Sequence, residues 1–260
     1  MIQKGCATMN ILKPLLLTSS YIYAIAPHKK GNLCSERIYG HRGLYDNHSV
    51  YENSLEAFDA CIKKGIGIEL DIKLTCDNKV IVYHDDDSKR FDGNDKPIHK
   101  RTYAELSTMP YKVATLKEAL NHINGQVPIM IEFKTDYCDP VLLCRLAYKA
   151  LKDYHGTYCI KSFDYRNLLW FRINHPEVAR GLLVSKRYST LTDFLSTWLL
   201  INIVVRPDFV SCRLNCTKRP SVVLYRKLLK GKVAAWTIKD ESEFEDKLKR
   251  FDILIYDPQI

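Results

Sequence analysis

The sequence lacks the short motifs of several common protein classes. Its nine cysteines include no C-x-x-C pair, which argues against a disulfide framework or a zinc ribbon and favours reduced thiols in a cytoplasmic protein. No G-x-G-x-x-G or Walker-type sequence occurs, so neither a dinucleotide-binding sheet nor a P-loop is indicated. The net charge is +9, yet no run of five or more like charges exists, and no nucleic-acid partner is expected. The scattered basic residues indicate a solvated surface or a preference for anionic ligands or membranes.

A long apolar segment is also missing. The stretch at residues 15–26 has twelve residues, whereas a membrane-spanning helix needs ~20. It is preceded by Lys4 and Lys13 and ends in Ala-Ile-Ala at 24–26, which would suit a signal-peptidase site. Two interpretations stay open. The stretch is either an amphipathic helix that packs on the domain or lies on a membrane surface, or a cleaved signal peptide of a secreted protein.

The composition and length are those of a globular protein. Of the 260 residues, 46% are hydrophobic and 27% are charged, which suits one large α/β barrel or two small domains. From residue 37 onward, short runs rich in β-branched and aromatic residues alternate with longer segments of helical spacing. The short runs predict strands at residues 37–40, 66–72, 127–133, 157–162, 180–185, 208–213, 232–238 and 252–257.

The segments between these strands predict helices. The segment at 115–125 begins with Thr115 and Glu118 at capping-box spacing and ends at a glycine. The other helical segments are 54–65, 139–154, 164–175, 190–204, 220–230 and 240–250. Eight successive βα units predict an α/β fold, a (β/α)8 TIM barrel, rather than an open doubly wound sheet. We expect one barrel domain at 37–260 and a helical or apolar N-terminal extension at 1–36.

One connection is longer than a barrel requires. About 54 residues separate the second predicted strand from the third, including an extra apolar run at 79–86 and a polar segment at 87–103. Since a crossover needs only one helix, a small insertion after strand two is predicted. Insertions at the C-terminal face of a barrel tend to contribute to the active site.

Three carboxylates stand at the ends of predicted strands. Glu69 and Asp71 end the second strand, two residues apart and therefore on one face, and Glu132 ends the third. Carboxylates that converge at one barrel mouth repel each other unless a cation lies between them. An all-oxygen set suits Mg²⁺ or Ca²⁺ better than zinc. The alternative is a salt-bridge cluster with Lys134 and Arg42.

Two histidines lie at strand ends near these carboxylates. His41 ends the first strand and His84 closes the extra apolar run, so both are candidates for general acid and base near neutral pH. Arg42 and Lys134 add positive charge, and arginine can hold two oxygens of a phosphate where lysine acts as a point charge. The set predicts phosphoryl chemistry on an anionic ester.

The order of these residues resembles that of the glycerophosphodiester phosphodiesterase family. The family pattern is H-R-G, E-N-[TS] followed by A-F, E-x-D, H-D, E-x-K, S-F, W-T and a last segment with an aspartate near its end. The sequence carries these motifs in the same order from about residue 37 to its end, and so many ordered matches are not expected by chance. They are HRG at 41–43, ENSLEAF at 52–58, ELD at 69–71, HDD at 84–86, EFK at 132–134, SF at 162–163, WTI at 236–238 and FDILIYDP at 251–258.

The resemblance implies a (β/α)8 barrel with a small inserted region after strand two. It also implies hydrolysis of small glycerophosphodiesters, such as glycerophosphocholine or glycerophosphoethanolamine, to glycerol 3-phosphate and the alcohol. In the family a glycerol hydroxyl attacks phosphorus to give a cyclic phosphate, which water then opens. The segment RPDFVS at 206–211 resembles bacterial members, which implies a cytoplasmic protein.

Carried over position by position, the resemblance assigns roles to eight residues. The acid/base pair is His41 and His84, the ligands of Mg²⁺ or Ca²⁺ are Glu69, Asp71 and Glu132, and the residues that contact substrate are Arg42, Lys134 and Trp236.

The sequence departs from the family pattern at three places. Tyr51 stands where proline often precedes Glu-Asn, Cys76 replaces the lysine of a Lys-Asp pair, and the last strand ends in Ile-Tyr-Asp-Pro at 255–258. None of these departures is expected to touch the predicted chemistry. They put loop conformation and substrate preference in doubt.

Two other functions stay open. A related barrel could cleave lysophospholipids, in the manner of a lysophospholipase D, or glycerol-phosphate polymers at a membrane surface, and the apolar stretch at 15–26 would support peripheral membrane association. A non-catalytic barrel could serve as a binding module, but it would be expected to have lost a site residue. The oligomeric state is not predicted.

Overall fold

A computed structural model describes residues 17–28, 36–135, 137–184 and 190–258. The other residues, which include 1–16 and 29–35 of the predicted N-terminal extension, lie outside the described part. The chain folds as a closed barrel of eight parallel strands surrounded by helices. The prediction of a (β/α)8 barrel is therefore confirmed.

The strands follow the predicted pattern closely. The eight barrel strands all lie within two residues of the predicted runs, since buried parallel strands appear in sequence as short apolar segments. The first strand pairs with both the second and the last, which closes the barrel. The strands are β1 Ile38–His41, β2 Gly67–Leu74, β3 Val80–Val82, β4 Ile129–Phe133, β5 Tyr158–Ser162, β6 Arg180–Val184, β7 Phe209–Arg213, β8 Lys232–Ile238 and β9 Ile253–Tyr256.

The helices lie between the strands, as predicted. The capping box at Thr115 and Glu118 is present, and the predicted helix at 190–204 is interrupted at Leu199, a buried residue with a φ of 59°. Residues 17–25 form a first helix, α1. The others are α2 Leu55–Lys64, α3 Lys89–Asp92, α4 Leu116–Ile123, α5 Pro140–Leu151, α6 Tyr165–Asn174, α7 Leu191–Thr197, α8 Asn202–Val205, α9 Pro220–Lys227 and α10 Phe244–Leu248. Short 3₁₀ helices lie at Ile98–Lys100, Ala104–Thr108, Leu214–Cys216 and Glu241–Glu243.

The connection between β2 and β4 contains the extra segment. Strand β3 runs antiparallel to β2 outside the barrel, and α3 with two 3₁₀ helices follows it before α4. These elements bury a small apolar cluster of their own, which includes Ile81, Tyr83 and Leu106. The segment is therefore held in place by its own core, beside the C-terminal end of β2.

The barrel interior pairs large residues with glycines. The ring of Tyr39 occupies the space beside Gly67, and the ring of Phe209 occupies the space beside Gly181. A Cβ atom at Gly181 would lie 2.3 Å from the Phe209 ring. The glycines are thus needed for close packing below the mouth of the barrel.

This packing predicts a loss of stability in Gly181→Ala. The added methyl group has to displace a fully buried ring, and overpacking of this kind costs ~1–3 kcal/mol of unfolding free energy. Urea denaturation followed by circular dichroism measures the change. If the clash is the cause, Phe209→Leu should lower the unfolding free energy less in the Gly181→Ala variant than in the wild type. Equal losses in the two backgrounds would contradict this account.

Helix α1 packs on the outside of the barrel. Ile25 is fully buried in the main core, and its carbonyl oxygen accepts a hydrogen bond of 3.0 Å from the side chain of Asn202. The Tyr21 hydroxyl donates to the carbonyl of Trp198 at 3.0 Å. These are contacts of a helix that packs on the domain. Within the described residues, no helix is both long enough and apolar enough to cross a bilayer.

Candidate active site

The C-terminal ends of three neighbouring strands bring most of the predicted residues together. In the parallel register His41 of β1 lies beside Glu69 of β2, and Asp71 of β2 lies beside Glu132 of β4. The extra segment adds His84, because the amide of Tyr83 donates a 3.0 Å hydrogen bond to the carbonyl of Asp71. The predicted site residues therefore meet at one face, where barrel enzymes carry their chemistry.

The three carboxylates form a compact buried cluster. Glu69, Asp71 and Glu132 each offer one oxygen, and these oxygens all lie within 4.8 Å of one another. Their exposed fractions are 0%, 1% and 5%. Asp71 is held by Asn53, whose side-chain amide donates to the carboxylate at 3.1 Å and whose carbonyl accepts from the Asp71 amide at 3.2 Å.

The loop after β1 orients a backbone donor toward this cluster. Arg42 has a left-handed φ of 57°, a conformation that side-chain-bearing residues rarely adopt. Its amide donates a 2.9 Å hydrogen bond to Glu69, and its carbonyl accepts one of 2.8 Å from Asn53. We infer that the strained backbone is maintained because it holds Glu69 and Asn53 in place.

Three cationic side chains balance the carboxylates. The ammonium of Lys134 pairs with Glu132 and lies 3.2 Å from Asp71, and the guanidinium of Arg42 lies 3.5 Å from Asp71. Lys161 of β5 is the third cation, with its ammonium 2.8 Å from Glu69 and 2.9 Å from Glu132. The salt-bridge cluster considered from sequence is thus present in the structure.

The mutual pairing shifts the pKa values within the cluster. Burial alone would raise the pKa of Glu132, but the ammonium groups of Lys134 and Lys161 lower it to about 2. Burial also opposes ionisation of Asp71, whose pKa is nevertheless held well below its usual range, chiefly by Lys134. The pKa values of both lysines are raised, because the nearby carboxylates outweigh the effect of burial. All these groups are therefore charged near neutral pH.

His41 is oriented by a carboxylate from the last strand. Its Nδ1 lies 2.7 Å from an oxygen of Asp257, which also accepts a 2.9 Å hydrogen bond from Tyr45. An ionised carboxylate can only accept, so with ionised Asp257 the proton lies on Nδ1, and Nε2 is free of this contact. Asp257 is the aspartate near the end of the last family motif, and this contact gives it a structural role that the sequence analysis did not assign.

His84 has the same arrangement with a carboxylate partner of its own. Its Nδ1 lies 2.7 Å from Asp85, which in turn pairs with Arg90 at 3.0 Å. Burial raises the pKa of Asp85, but the hydrogen bond with His84 and the charge of Arg90 lower it to about 2.

Glu52 connects the two sides of the site. It is 2% exposed and accepts from Arg42 at 2.8 Å and from Arg90 at 2.7 Å. Burial raises its pKa, yet the hydrogen bonds and charges of the two arginines lower it overall. Glu52 thus positions Arg42 beside the carboxylate cluster and Arg90 beside the hydrogen-bonded pair of His84 and Asp85.

Trp236 forms part of the wall of the barrel mouth. Its ring is half-buried on β8, with the Phe163 ring at 6.3 Å in an edge arrangement and the guanidinium of Arg213 at 5.4 Å above it. It makes no contact with the carboxylate cluster in the described interactions. Its predicted contact with substrate stays a prediction.

Sequence reasoning missed four of the residues that hold this site. Glu52, Asn53 and Asp257 lie inside the family motifs but had no assigned role. Ser54, the residue after Asn53, is the helix cap, while the Asn53 side chain bonds Asp71. For Lys161 a signal exists, since a lysine inside an apolar strand is rarely buried without a partner.

The cluster has the donor chemistry of a site for a hard divalent cation. All three side chains supply oxygen, and Oε1 of Glu69 is buried and accepts no directed hydrogen bond from the described residues, though it pairs with Lys161. Glu69, Asp71 and Glu132 would hold such an ion. The ammonium groups of Lys134 and Lys161 pair with the same carboxylates, so a bound ion would have to share these carboxylates with them.

Comparisons with known proteins identify one family. Residues 41–258 match the model of the glycerophosphoryl diester phosphodiesterase family. A curated Bacillus subtilis protein, YhdW, provisionally named a glycerophosphodiester phosphodiesterase, is 25% identical over 171 residues, which cover 60% of this chain and 68% of that protein.

Solved structures of enzymes with this name share the fold. The glycerophosphodiester phosphodiesterase of Thermotoga maritima has a TM-score of 0.68 and 25% identity, covering 86% of this chain and 96% of its own. A phosphodiesterase of Oleispira antarctica, solved with the product sn-glycerol-3-phosphate, has a TM-score of 0.67 and 22% identity over 91% of this chain and 95% of its own. The chain therefore belongs to the glycerophosphoryl diester phosphodiesterase family, whose members are enzymes that hydrolyse glycerophosphodiesters.

Proposed function

We propose that the protein hydrolyses small glycerophosphodiesters, such as glycerophosphocholine, to glycerol 3-phosphate and an alcohol with His41 and His84 as the acid/base pair. The observation that carries this proposal is the matched environment of the two imidazoles. Each presents Nδ1 to a carboxylate at 2.7 Å, which leaves Nε2 free. The product bound to the Oleispira antarctica phosphodiesterase is consistent with this reaction.

In this mechanism the two imidazoles move protons on either side of the phosphorus. One accepts the proton of the attacking glycerol hydroxyl as its oxygen bonds to phosphorus. The bond between phosphorus and the alcohol oxygen breaks, and the other imidazole donates a proton to that oxygen. Water then opens the cyclic phosphate with the roles reversed. Asp257 and Asp85 stabilise the imidazolium that forms in each half of the reaction.

Positive charge at the mouth of the barrel binds the phosphate. Arg42 and Lys134 are each 14% exposed at their side chains, whereas Lys161 is 2% exposed and lies deeper. The first two can therefore turn from their carboxylates toward an incoming anion. We propose Trp236 as the neighbouring wall that contacts the rest of the substrate.

We further propose that the cation held by Glu69, Asp71 and Glu132 is Mg²⁺ or Ca²⁺. The all-carboxylate donor set supports a hard cation over zinc. When bound, such an ion polarises the phosphoryl oxygens and offsets the charge that develops on them.

An assay of glycerophosphocholine hydrolysis tests the proposed reaction and its metal requirement. We expect the purified full chain to release choline and glycerol 3-phosphate in equal amounts, to lose this activity in EDTA, and to regain it with Mg²⁺ or Ca²⁺. Enzymatic quantification of both products shows which phosphoester bond is hydrolysed. Release of glycerol and phosphocholine would contradict the proposed position of cleavage, and full activity in EDTA would contradict the metal requirement.

A second candidate function is the cleavage of lysophospholipids at a membrane surface. It is supported by exposed apolar side chains on α1, α7 and α8, where the Tyr21 hydroxyl joins α1 to α7. These side chains are Leu17, Tyr23, Leu191, Phe194, Trp198 and Ile203. The same assay separates the two functions when lysophosphatidylcholine in anionic vesicles replaces glycerophosphocholine. Faster choline release from the vesicles would favour this second function.

We propose a cytoplasmic location for the protein. It is supported by the described cysteines, since five of them are buried in the apolar core as small hydrophobic side chains. Reduced thiols of this kind are usual in the cytoplasm.

A further inference from the structure

We propose that Lys161 is an internal counter-ion that competes with a divalent cation for Glu69 and Glu132 and so weakens cation binding at the site. This inference rests on the proposed function, because it assumes that the carboxylates are the cation site. It concerns a residue to which neither the family motifs nor the sequence assigned a role.

The position of Lys161 supports this competition. It lies on β5 next to Glu132 of β4 in the parallel register, with its side chain in the barrel interior. Its ammonium is 2.8 Å from Glu69 and 2.9 Å from Glu132, and oxygens of these two residues also belong to the group within 4.8 Å. The ammonium therefore stands between two of the three carboxylates that a divalent cation would bridge.

The balance of charge in the cluster also supports competition between Lys161 and a divalent cation. Lys161 and Lys134 pair with the three carboxylates, and Arg42 lies near Asp71 while it also pairs with Glu52, so most of the carboxylate charge is compensated before any metal ion binds. Uncompensated carboxylates attract a divalent cation strongly, whereas compensated carboxylates attract it less. A bound cation also has to push one ammonium away from its carboxylate.

Lys161 is the cation that cannot leave easily. Its side chain is 2% exposed, and within the described residues its ion pairs are with Glu69 and Glu132, above the apolar interior formed by Met130, Cys159 and their neighbours. Lys134 and Arg42 are nearer to solvent and can turn outward to a phosphate. A displaced Lys161 ammonium would remain in an apolar environment close to the incoming cation, which disfavours binding.

Calorimetric titration of Mg²⁺ and of Ca²⁺ into the full chain, first stripped with EDTA and then dialysed, tests this proposal. We expect Lys161→Gln and Lys161→Met to bind both ions at least about tenfold more tightly than the wild type, because a repulsive charge a few ångströms away has been removed. Lys161→Arg, which keeps the charge, should not gain affinity. Lys73→Gln is the matched control, since Lys73 is also a buried lysine of a barrel strand but pairs with Asp86.

Thermal unfolding provides a second measurement for variants that are too unstable for calorimetry. The melting temperature of Lys161→Gln and Lys161→Met should rise more steeply with Mg²⁺ concentration than that of the wild type. Equal or weaker binding in both variants, with normal binding in the wild type, would overturn the role of Lys161 and leave the cation site intact. Absence of binding in the wild type and in both variants would overturn the cation site itself.

Discussion

Replacement of His41 by alanine is expected to lower kcat/KM for glycerophosphocholine by about 10²- to 10⁴-fold, the usual contribution of a general acid or base. The Asp257 carboxylate, fully buried and 2.7 Å from Nδ1, holds the imidazole through Nδ1 and leaves Nε2 for the proposed proton transfer. Alanine removes both proton acceptor and donor at this point. Initial rates of glycerol 3-phosphate release at saturating metal concentration measure the loss. A variant that keeps more than a tenth of the wild-type rate would rule out the proposed acid/base role.

The control for this experiment lies in the same stretch of sequence. His48 is exposed and lies seven residues after His41. Its backbone amide donates a 2.8 Å hydrogen bond to Asp46. His48→Ala should therefore retain the wild-type rate. Asp257→Asn should reduce the rate while leaving His41 present, because a neutral amide stabilises the imidazolium less than a carboxylate does.

Replacement of Glu132 by glutamine is expected to lower the unfolding free energy of the metal-free protein by ~3–5 kcal/mol at pH 7 and to abolish activity. The substitution keeps the shape of the side chain but leaves the ammonium groups of Lys134 and Lys161 with less compensating charge. Breaking a buried ion pair on one side costs this much, because an uncompensated charge stays behind. Denaturation by urea in EDTA measures the change.

The destabilisation should depend on pH in a defined direction. The pKa of Glu132 is lowered from its ordinary 4.5 to about 2 in the folded protein. A group with a depressed pKa stabilises the fold above its unfolded pKa and loses this effect as the pH falls toward the folded value. The difference between wild type and Glu132→Gln should therefore be constant near neutral pH and shrink below about 4.5. A difference that grows in acid would contradict this assignment.

The same substitution on the surface is the control. Glu245 pairs with Lys249 one helical turn away, and its side chain is 88% exposed. An exposed pair of this type contributes ~0.5 kcal/mol or less. Glu245→Gln should therefore leave both stability and activity close to the wild type, which separates the effect of a buried charge from that of the substitution.

Much of the fold could be predicted from the sequence, for a physical reason. Strands that are covered on both faces have to be apolar almost throughout, so the barrel strands appear as short apolar runs with helical segments between them. The break between α7 and α8 could not be predicted, because it depends on Leu199, an ordinary helix former that takes a left-handed φ in its tertiary packing. The apolar pattern across that break is continuous.

The sequence by itself determined that three carboxylates meet at the site. Glu69, Asp71 and Glu132 are predicted as neighbours because the ends of parallel strands meet at one edge, and that rule needs only the strand boundaries. The tertiary structure alone decided what each group touches. Asp257 reaches His41 because β9 pairs with β1 when the barrel closes. Lys161 lies in the carboxylate cluster because β5 pairs with β4 and the side chain of Lys161 points into the barrel. Both contacts join residues that are far apart in the chain. They depend on the closure of the barrel and on the direction of each side chain, which no local sequence pattern encodes.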